Sequence, residues 1–228
     1  MQIFSRSLNK LPIAIAIGGG VLTGGLTLGI WYYASPKNTQ VGYAPTQPVS
    51  YSHRLHAGQM GMDCRYCHSN IEKSAKAMIP PTQVCMGCHA IVKSDSARIA
   101  PLKKSWDTNM PVEWVQLHKL PDHTYFDHSA HLSAGVGCVT CHGRLDQMNL
   151  TMQSSTLLME WCIACHRAPE KHLRPQEEVF NMQWDAAQAG QNPDTGKPYT
   201  QRELGLKLKE QHKVRDAVTL TNCSMCHR

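Results

Sequence analysis

One long run of apolar residues stands out near the start of the chain. It covers Leu11–Ala34 without a charged residue and is long enough to cross a bilayer as a helix. Arg6 and Lys10 precede it, and three aromatic residues at 31–33 close it, as is typical of membrane interfaces. We therefore predict a cytoplasmic N-terminus over residues 1–10 and a transmembrane anchor over residues 11–34. The remainder is predicted to lie outside the cytoplasm.

A cleaved signal peptide is the alternative interpretation of this run. Signal peptides usually have a shorter apolar part, and Ala34-Ser35-Pro36 is a poor cleavage site, so we favour a retained anchor. The run also holds two small-x3-small pairs, Gly20 with Gly24 and Gly25 with Gly29. Such pairs allow close helix packing in lipid and favour a partner membrane subunit, although glycine is also common in membrane helices in general.

The pattern after the anchor is much weaker. Residues 35–50 contain three prolines and several polar residues, which is typical of a linker. No long periodic apolar pattern follows, and only 7% of the 228 residues are aromatic. A chain of this length suffices for one or two domains, but it lacks the residues for an ordinary core. We expect short helices, little sheet and long irregular connections.

The cysteines indicate what replaces that core. All ten fall in five copies of Cys-x-x-Cys-His, the attachment site of c-type haem. Zinc sites more often pair two Cys-x-x-Cys units without a fixed histidine, and disulfides need no histidine. The predicted covalent haem-binding residues are Cys64, Cys67, Cys85, Cys88, Cys138, Cys141, Cys162, Cys165, Cys223 and Cys226. The predicted proximal iron ligands are His68, His89, His142, His166 and His227.

Five haems determine the predicted fold class. We expect a mainly α multihaem cytochrome c with much irregular coil, wrapped around five haems and preceded by one transmembrane helix. Bacteria attach such haems outside the cytoplasm, which favours the periplasmic face of the inner membrane. Ten haem propionates would take the formal charge of +6 to about −4, and ferric iron would return it to near neutral. The basic sequence therefore gives no argument for nucleic-acid binding.

The chain repeats one unit of histidines and motifs. Tyr51-x-His53-x2-His56 comes seven residues before the first motif, and Phe126-x-His128-x2-His131 comes six residues before the third. A second Cys-x-x-Cys-His follows in each half. We predict a first dihaem module over residues 51–110 and a second over residues 111–175. A helical insertion and the C-terminal fifth-haem segment follow over residues 176–228.

The repeat predicts four distal iron ligands. A low-spin haem iron needs a second axial ligand opposite the motif histidine. Helix positions i and i+3 lie on neighbouring faces, so two histidines at this spacing reach two different irons. The predicted distal ligands of the first four haems are His53, His56, His128 and His131.

The fifth distal ligand has several candidates. His118 ends an apolar, extended-looking run just before Leu120-Pro121 and is favoured. Methionine is the other common partner and raises the potential of a haem. The methionine candidates, which also fit as core residues, are Met148, Met152 and Met159. His212 is a further candidate, whereas His123 and His172 lie in polar surroundings and are expected at the surface.

The insertion before the fifth motif predicts helix on both sides of a turn. Phe180, Trp184 and Ala187 form one apolar stripe before the turn at 191–198. Thr200-x2-Glu203 is a capping box that predicts the start of a second helix, which runs towards His212.

Several segments resemble one known family closely. They are MIPPTQVCMGCH at 78–89, the Trp114–His131 stretch, MEWCIACHR at 159–167 and TNCSMCHR at 221–228. The family is the membrane-anchored pentahaem cytochrome c subunit of bacterial alternative complex III, a quinol:electron-acceptor oxidoreductase. The resemblance covers essentially the whole chain. It implies an iron–sulfur subunit, polytopic quinol-binding subunits and a monohaem cytochrome c as partners, and it strengthens His118 as a ligand.

Three functions compete at this point. The resemblance favours electron transfer between an iron–sulfur subunit and a cytochrome or other periplasmic acceptor, without a substrate site of the chain's own. A stand-alone membrane-anchored multihaem quinol dehydrogenase is the alternative, but the sequence shows no acidic proton-accepting cluster beside the first motif beyond Asp63. A multihaem reductase would need an iron without a distal ligand, and the sequence contains no Cys-x-x-Cys-Lys motif.

Overall fold

The computed structural model describes residues 5–35 and 40–227. The chain divides into two compact units, Met1–Val41 and Gly42–Arg228. Apart from two isolated bridges, Val136 with Leu173 and Gln191 with Pro198, the described residues form helices, turns and coil. The expectation of a mainly helical protein with much irregular coil is confirmed for this part of the chain.

The first unit is one long helix. A 3-10 turn over Arg6–Lys10 leads into α1, Leu11–Ala34, whose bounds are those expected from the apolar run. Thr23 and Thr27 donate their hydroxyls to the carbonyls of Gly19 and Thr23, each at 2.8 Å. Polar groups in lipid must be satisfied within the segment in this way. The helix has the length and apolar composition needed to cross a membrane.

The second unit consists of short helices that carry the motifs. In chain order they are α2 Cys64–Cys67, α3 Thr82–His89, α4 Ala100–Thr108, α5 His128–Ser133, α6 Cys138–His142, α7 Met159–Arg167, α8 Gln201–Gln211, α9 Ala217–Leu220 and α10 Cys223–Cys226. A π-helical turn covers Arg54–Gln59. Asp63 caps α2 by accepting the Arg65 N–H at 2.8 Å, and Asn222 caps α10 by accepting the Ser224 N–H at 3.0 Å. Each motif therefore begins at or within a helix.

The polypeptide has little core of its own. One buried cluster joins Val49, Met86 and Leu102. The other joins Val136, Leu173, Trp184, Ala186, Leu204 and Leu208. The chain exposes 15914 Å², whereas a folded monomer of 25.4 kDa exposes about 10,300 Å². A chain that buries so little of itself needs further apolar surface to pack against, which is consistent with the haem motifs.

The two predicted dihaem modules pack on each other within the second unit. Arg54 donates its backbone N–H to the Met148 carbonyl at 2.9 Å, and Ser52 donates its hydroxyl to Asn149 at 3.0 Å. Gly58, in the π-helical turn, lies directly against the Asp146 carbonyl, where a Cβ atom would collide. This close approach explains glycine at that position.

The helical prediction for residues 176–190 is wrong. Instead of one helix, the structure has 3-10 turns at Gln176–Glu178 and Ala186–Ala189. The Arg174 guanidinium donates hydrogen bonds to the backbone carbonyls of Glu178 and Asn181 at 3.3 and 2.8 Å. In a continuous helix, these carbonyls would accept from backbone N–H groups of the helix itself. The predicted apolar face does not form, because its two aromatic rings pack in different places: Phe180 lies under the Arg65 guanidinium and Trp184 lies under the Arg174 guanidinium.

The other half of this insertion follows the prediction. Helix α8 begins at the predicted capping box, in which Thr200 and Glu203 satisfy each other's backbone N–H groups. Leu204 and Leu208 on this helix are buried in the larger cluster. The start of this helix is therefore predictable from local residues, while burial of its apolar face against the cluster stabilises it.

Candidate haem-binding site

The motif histidines are oriented by backbone carbonyls. Four of them contact a carbonyl oxygen through Nδ1: His68 with Met78 at 2.7 Å, His89 with Val92 at 2.9 Å, His166 with Leu220 at 2.9 Å and His227 with His123 at 3.0 Å. A carbonyl oxygen only accepts, so Nδ1 must carry the proton. The Nε2 lone pair of each ring is then free to bind a metal ion, which is how metal-ligating histidines are usually held.

The paired histidines upstream of the motifs are held in the same way. His56 donates from Nδ1 to the Ser52 carbonyl at 2.9 Å, and His131 donates to the Asp127 carbonyl at 2.7 Å. The first histidine of each pair reaches across to the other module. The Nδ1 atom of His53 lies 3.0 Å from the Thr151 hydroxyl, and that of His128 lies 2.8 Å from the Ala75 carbonyl.

Three of these histidines face a motif histidine across a characteristic gap. The ring centres lie 6.2 Å apart for His56 and His89, 6.4 Å for His128 and His142, and 6.1 Å for His131 and His166. A metal–imidazole bond is about 2 Å long and a ring centre lies about 1.1 Å from its nitrogen, so two histidines on one metal ion have centres roughly 6.3 Å apart. The three separations therefore suit one metal ion between each pair.

The fourth pair follows from the repeat. The second histidine of each upstream pair faces the second motif of its own half, and His128 faces the first motif of its half. The corresponding partner of His53 is His68. The pKa of His53 is lowered to about 4, first by burial and then by the charges of His68 and His56, so His68 as its partner stays an expectation from the repeat.

One aromatic ring contacts both upstream histidines in each module. Tyr51 stacks on His56 with centres 4.6 Å apart and planes at 19°, and it meets His53 edge-on at 4.8 Å and 85°. Phe126 repeats this arrangement, with His131 at 4.5 Å and 30° and His128 at 4.7 Å and 88°. The repeated aromatic-x-His-x2-His pattern in the sequence marks these two aromatic residues, but the spacing alone does not predict that each ring contacts both histidines.

Burial favours the uncharged form of His142 and His131. It lowers the pKa of His142 to about 3, with further lowering by His118, His128, His68 and His53. Burial is also the largest cause of the lowered pKa of His131. A neutral imidazole is the form that binds a metal ion.

The ten cysteines lie in pairs, each pair followed directly by its motif histidine. Burial raises the pKa of Cys138 and Cys165 to about 11 and that of Cys141 to about 12. Paired thiols beside a histidine, most of them at least half-buried, fit the two vinyl groups of a porphyrin. The described residues therefore fit c-type haem at the motifs.

His118 lies beside the third motif. Its ring meets that of His142 edge-on, with centres 4.6 Å apart. Its Nε2 atom is buried and has no hydrogen-bond partner, and burial followed by the charge of His128 lowers its pKa. A buried nitrogen without a partner is costly unless something binds it, so His118 keeps the property expected of a ligand.

The other candidates for the fifth distal ligand are arranged differently. Met148 is buried, whereas Met152 and Met159 are 41% and 63% exposed. His212 donates from Nδ1 to the Ala134 carbonyl at 2.9 Å at the end of α8. None of these observations assigns the ligand, so the choice of His118 stays a prediction.

Two histidines expected at the surface differ from each other. His123 is exposed, yet its ring lies 5.5 Å from that of His227 and its carbonyl orients the same residue. His172 is half-buried, and burial lowers its pKa. The turn at Pro169–Lys171, which precedes it, packs against α8.

One characterised protein is similar to part of this chain. It is the menaquinone reductase multihaem cytochrome c subunit of Nitratidesulfovibrio vulgaris, which is 30% identical over 118 residues. The similarity covers 51% of this chain and 53% of that subunit, so the chain spans about half the length of the curated relative it matches. No family model matches the chain. The similarity supports the expectation of c-type haems without fixing their number.

Proposed function

We propose that the chain is a multihaem cytochrome c that holds five c-type haems and transfers electrons within a membrane quinone oxidoreductase. The histidine pairs carry this proposal, because their ring centres lie 6.1–6.4 Å apart, the spacing of two axial ligands. The sequence similarity to the cytochrome subunit of a menaquinone reductase supports the proposal independently of this geometry.

The motifs and the upstream histidines would hold the haems. The two cysteines of each motif form thioethers, and the motif histidine binds the iron from the same side. The proposed distal ligands are His53 and His56 for the first two haems and His128 and His131 for the next two. His118 is proposed as the fifth, because its buried Nε2 lacks a partner.

When bound, each haem supplies an iron that alternates between the ferrous and ferric states. The chain's own residues position and tune it. Histidine ligands on both sides would leave no coordination position for a substrate, and the hydrogen bonds from Nδ1 to carbonyl oxygens orient seven of these rings and would raise their basicity. We therefore propose no substrate site within this chain, and quinone chemistry would take place on a partner.

The proposed setting is alternative complex III or a closely related complex. The N-terminus lies in the cytoplasm and the haem-binding unit on the periplasmic face, with α1 as the anchor. The partners are an iron–sulfur subunit, polytopic quinol-binding subunits and a monohaem cytochrome c. Electrons pass from the iron–sulfur subunit to that cytochrome or to another periplasmic acceptor.

Purification of the full-length protein in mild detergent tests this proposal. We expect a mass increase of five haems per chain, only low-spin iron in the oxidised protein, and co-purifying membrane subunits. High-spin iron that binds external ligands would support a reductase instead. Isolation of the chain alone as an active quinol oxidase would support a stand-alone dehydrogenase.

The haem count has a direct control. Replacing both Cys223 and Cys226 with serine removes the attachment thiols of the last motif and leaves the other four intact. We expect the mass of this variant to fall by one haem. An unchanged haem mass would contradict the use of the fifth motif.

A further inference from the structure

The arrangement of Tyr51 and Phe126 goes beyond what electron transfer requires of ligands. Each ring lies parallel to one histidine and nearly perpendicular to another, with interplanar angles of 19° and 85° in the first module and 30° and 88° in the second. The four centre-to-centre distances all lie between 4.5 and 4.8 Å. Both geometries are preferred contacts of aromatic rings.

A hydrogen bond completes the constraint on the second histidine of each pair. The carbonyl of the residue after the aromatic ring accepts the Nδ1 proton of that histidine, Ser52 for His56 and Asp127 for His131. The carbonyl fixes where Nε2 points, while the stacked ring fixes the rotation of the imidazole plane. Neither contact alone determines both the direction of Nε2 and the rotation of the imidazole plane.

Burial of a core does not explain the two aromatic residues. Phe126 is 36% exposed, and neither ring belongs to the two buried clusters. An aliphatic side chain would fill the same space without preferring one plane over another. The feature that both modules share is therefore the flat ring, since the tyrosine hydroxyl occurs in only one of them.

We propose that Tyr51 and Phe126 are positioning residues that set the imidazole planes of the two distal histidines in their own module. This inference rests on the proposed function, because it takes His53, His56, His128 and His131 as iron ligands. One aromatic residue thus controls two haems at once. Tyr51 acts on the haems of the first two motifs and Phe126 on those of the third and fourth.

A change in the orientation of the imidazole planes can be measured by spectroscopy. The g-values of a low-spin ferric haem depend on the orientation of its axial ligand planes, and ligand geometry also contributes to the reduction potential. Loss of one ring should therefore alter two haems and leave three unchanged. A residue that merely supports folding would not give this pattern.

The test uses the full-length protein with its haems attached. Phe126→Leu and Tyr51→Leu remove the ring plane, whereas Phe126→Tyr and Tyr51→Phe keep it and serve as matched controls. We expect each leucine variant to shift two of the five low-spin electron paramagnetic resonance signals, a different two in each variant. The ring-retaining variants should give the wild-type spectrum.

Haem mass separates this inference from the proposed function. Wild-type protein without five haems would refute the proposed function itself. Leucine variants that keep five haems and all five wild-type signals would refute only the positioning role. If Phe126→Leu fails to retain its haems, Phe126→Met offers a flexible side chain of similar size, and haem loss in both would assign the ring to folding and overturn the inference.

Discussion

At the scale of single residues, the hydrogen bond made by Nδ1 determines what each histidine can do. A carbonyl partner fixes the proton on Nδ1 and leaves the Nε2 lone pair for a metal ion. His118 is different, because its Nε2 is the atom that is buried without a partner. An unsatisfied buried polar group costs about 1–3 kcal/mol. An iron at that nitrogen would remove the cost.

Replacing His118 with alanine is expected to convert one of the five irons to the high-spin form in the oxidised protein, because its distal ligand is lost. Visible and electron paramagnetic resonance spectra measure the change, and haem mass checks that attachment is intact. His123→Ala is the rival variant, since the His123 ring lies 5.5 Å from that of the fifth motif histidine, His227. High-spin iron in the His123 variant but not in the His118 variant would transfer the role to His123.

At the scale of elements, the helices that the sequence predicted correctly are those whose signal lies within the helix itself. The apolar run predicted α1 and the capping box predicted the start of α8, because both signals lie within the elements themselves. The helix expected before residue 190 does not form, because the backbone carbonyls of Glu178 and Asn181 accept hydrogen bonds from Arg174, which lies outside this segment. The Cys-x-x-Cys-His motifs and the upstream histidines could likewise be identified from sequence. The carbonyl and hydroxyl groups that orient them could not, since several come from distant segments.

The π-helical turn provides a test of element packing. Gly58→Ala would drive a Cβ atom into the Asp146 carbonyl and push the turn away from its neighbour. Overpacking of this kind costs about 1–3 kcal/mol. We expect a lower midpoint in urea unfolding followed by circular dichroism. An unchanged midpoint in Gly58→Ala would contradict the close approach.

Helix α1 gives a second prediction at this scale. The wild-type protein should remain with membranes after alkaline extraction. Combined Leu22→Arg and Leu26→Arg substitutions should release it, because each arginine near the centre of a membrane helix costs about 2.5–3.5 kcal/mol. Leu22→Ala with Leu26→Ala is the control and should stay in the membrane fraction. A mature wild-type chain that begins after residue 35 would instead identify a cleaved signal peptide.

At the scale of the whole second unit, each predicted module contacts a proposed iron ligand of the other. Thr151 of the second module lies 3.0 Å from His53 of the first, and the Ala75 carbonyl of the first accepts the Nδ1 proton of His128 of the second. Each contact joins residues far apart in sequence, separated by 98 positions in one case and 53 in the other. The properties of one module are thus partly set by the position of the other, so the duplicated halves do not behave as independent units.

Thr151→Val tests this coupling with almost no change of volume. With His53 bound to iron through Nε2, Nδ1 would carry the proton and the Thr151 hydroxyl would accept it at 3.0 Å, so the substitution would remove this acceptor and make the imidazole a weaker donor to the iron. Weaker donation stabilises the ferric state less, and we expect the potential of one haem to rise in a redox titration followed in the visible spectrum. Thr151→Ser keeps the hydroxyl and should leave the titration unchanged. A Thr151→Val curve that coincides with the wild-type curve would mean that the second module does not tune the first through this contact.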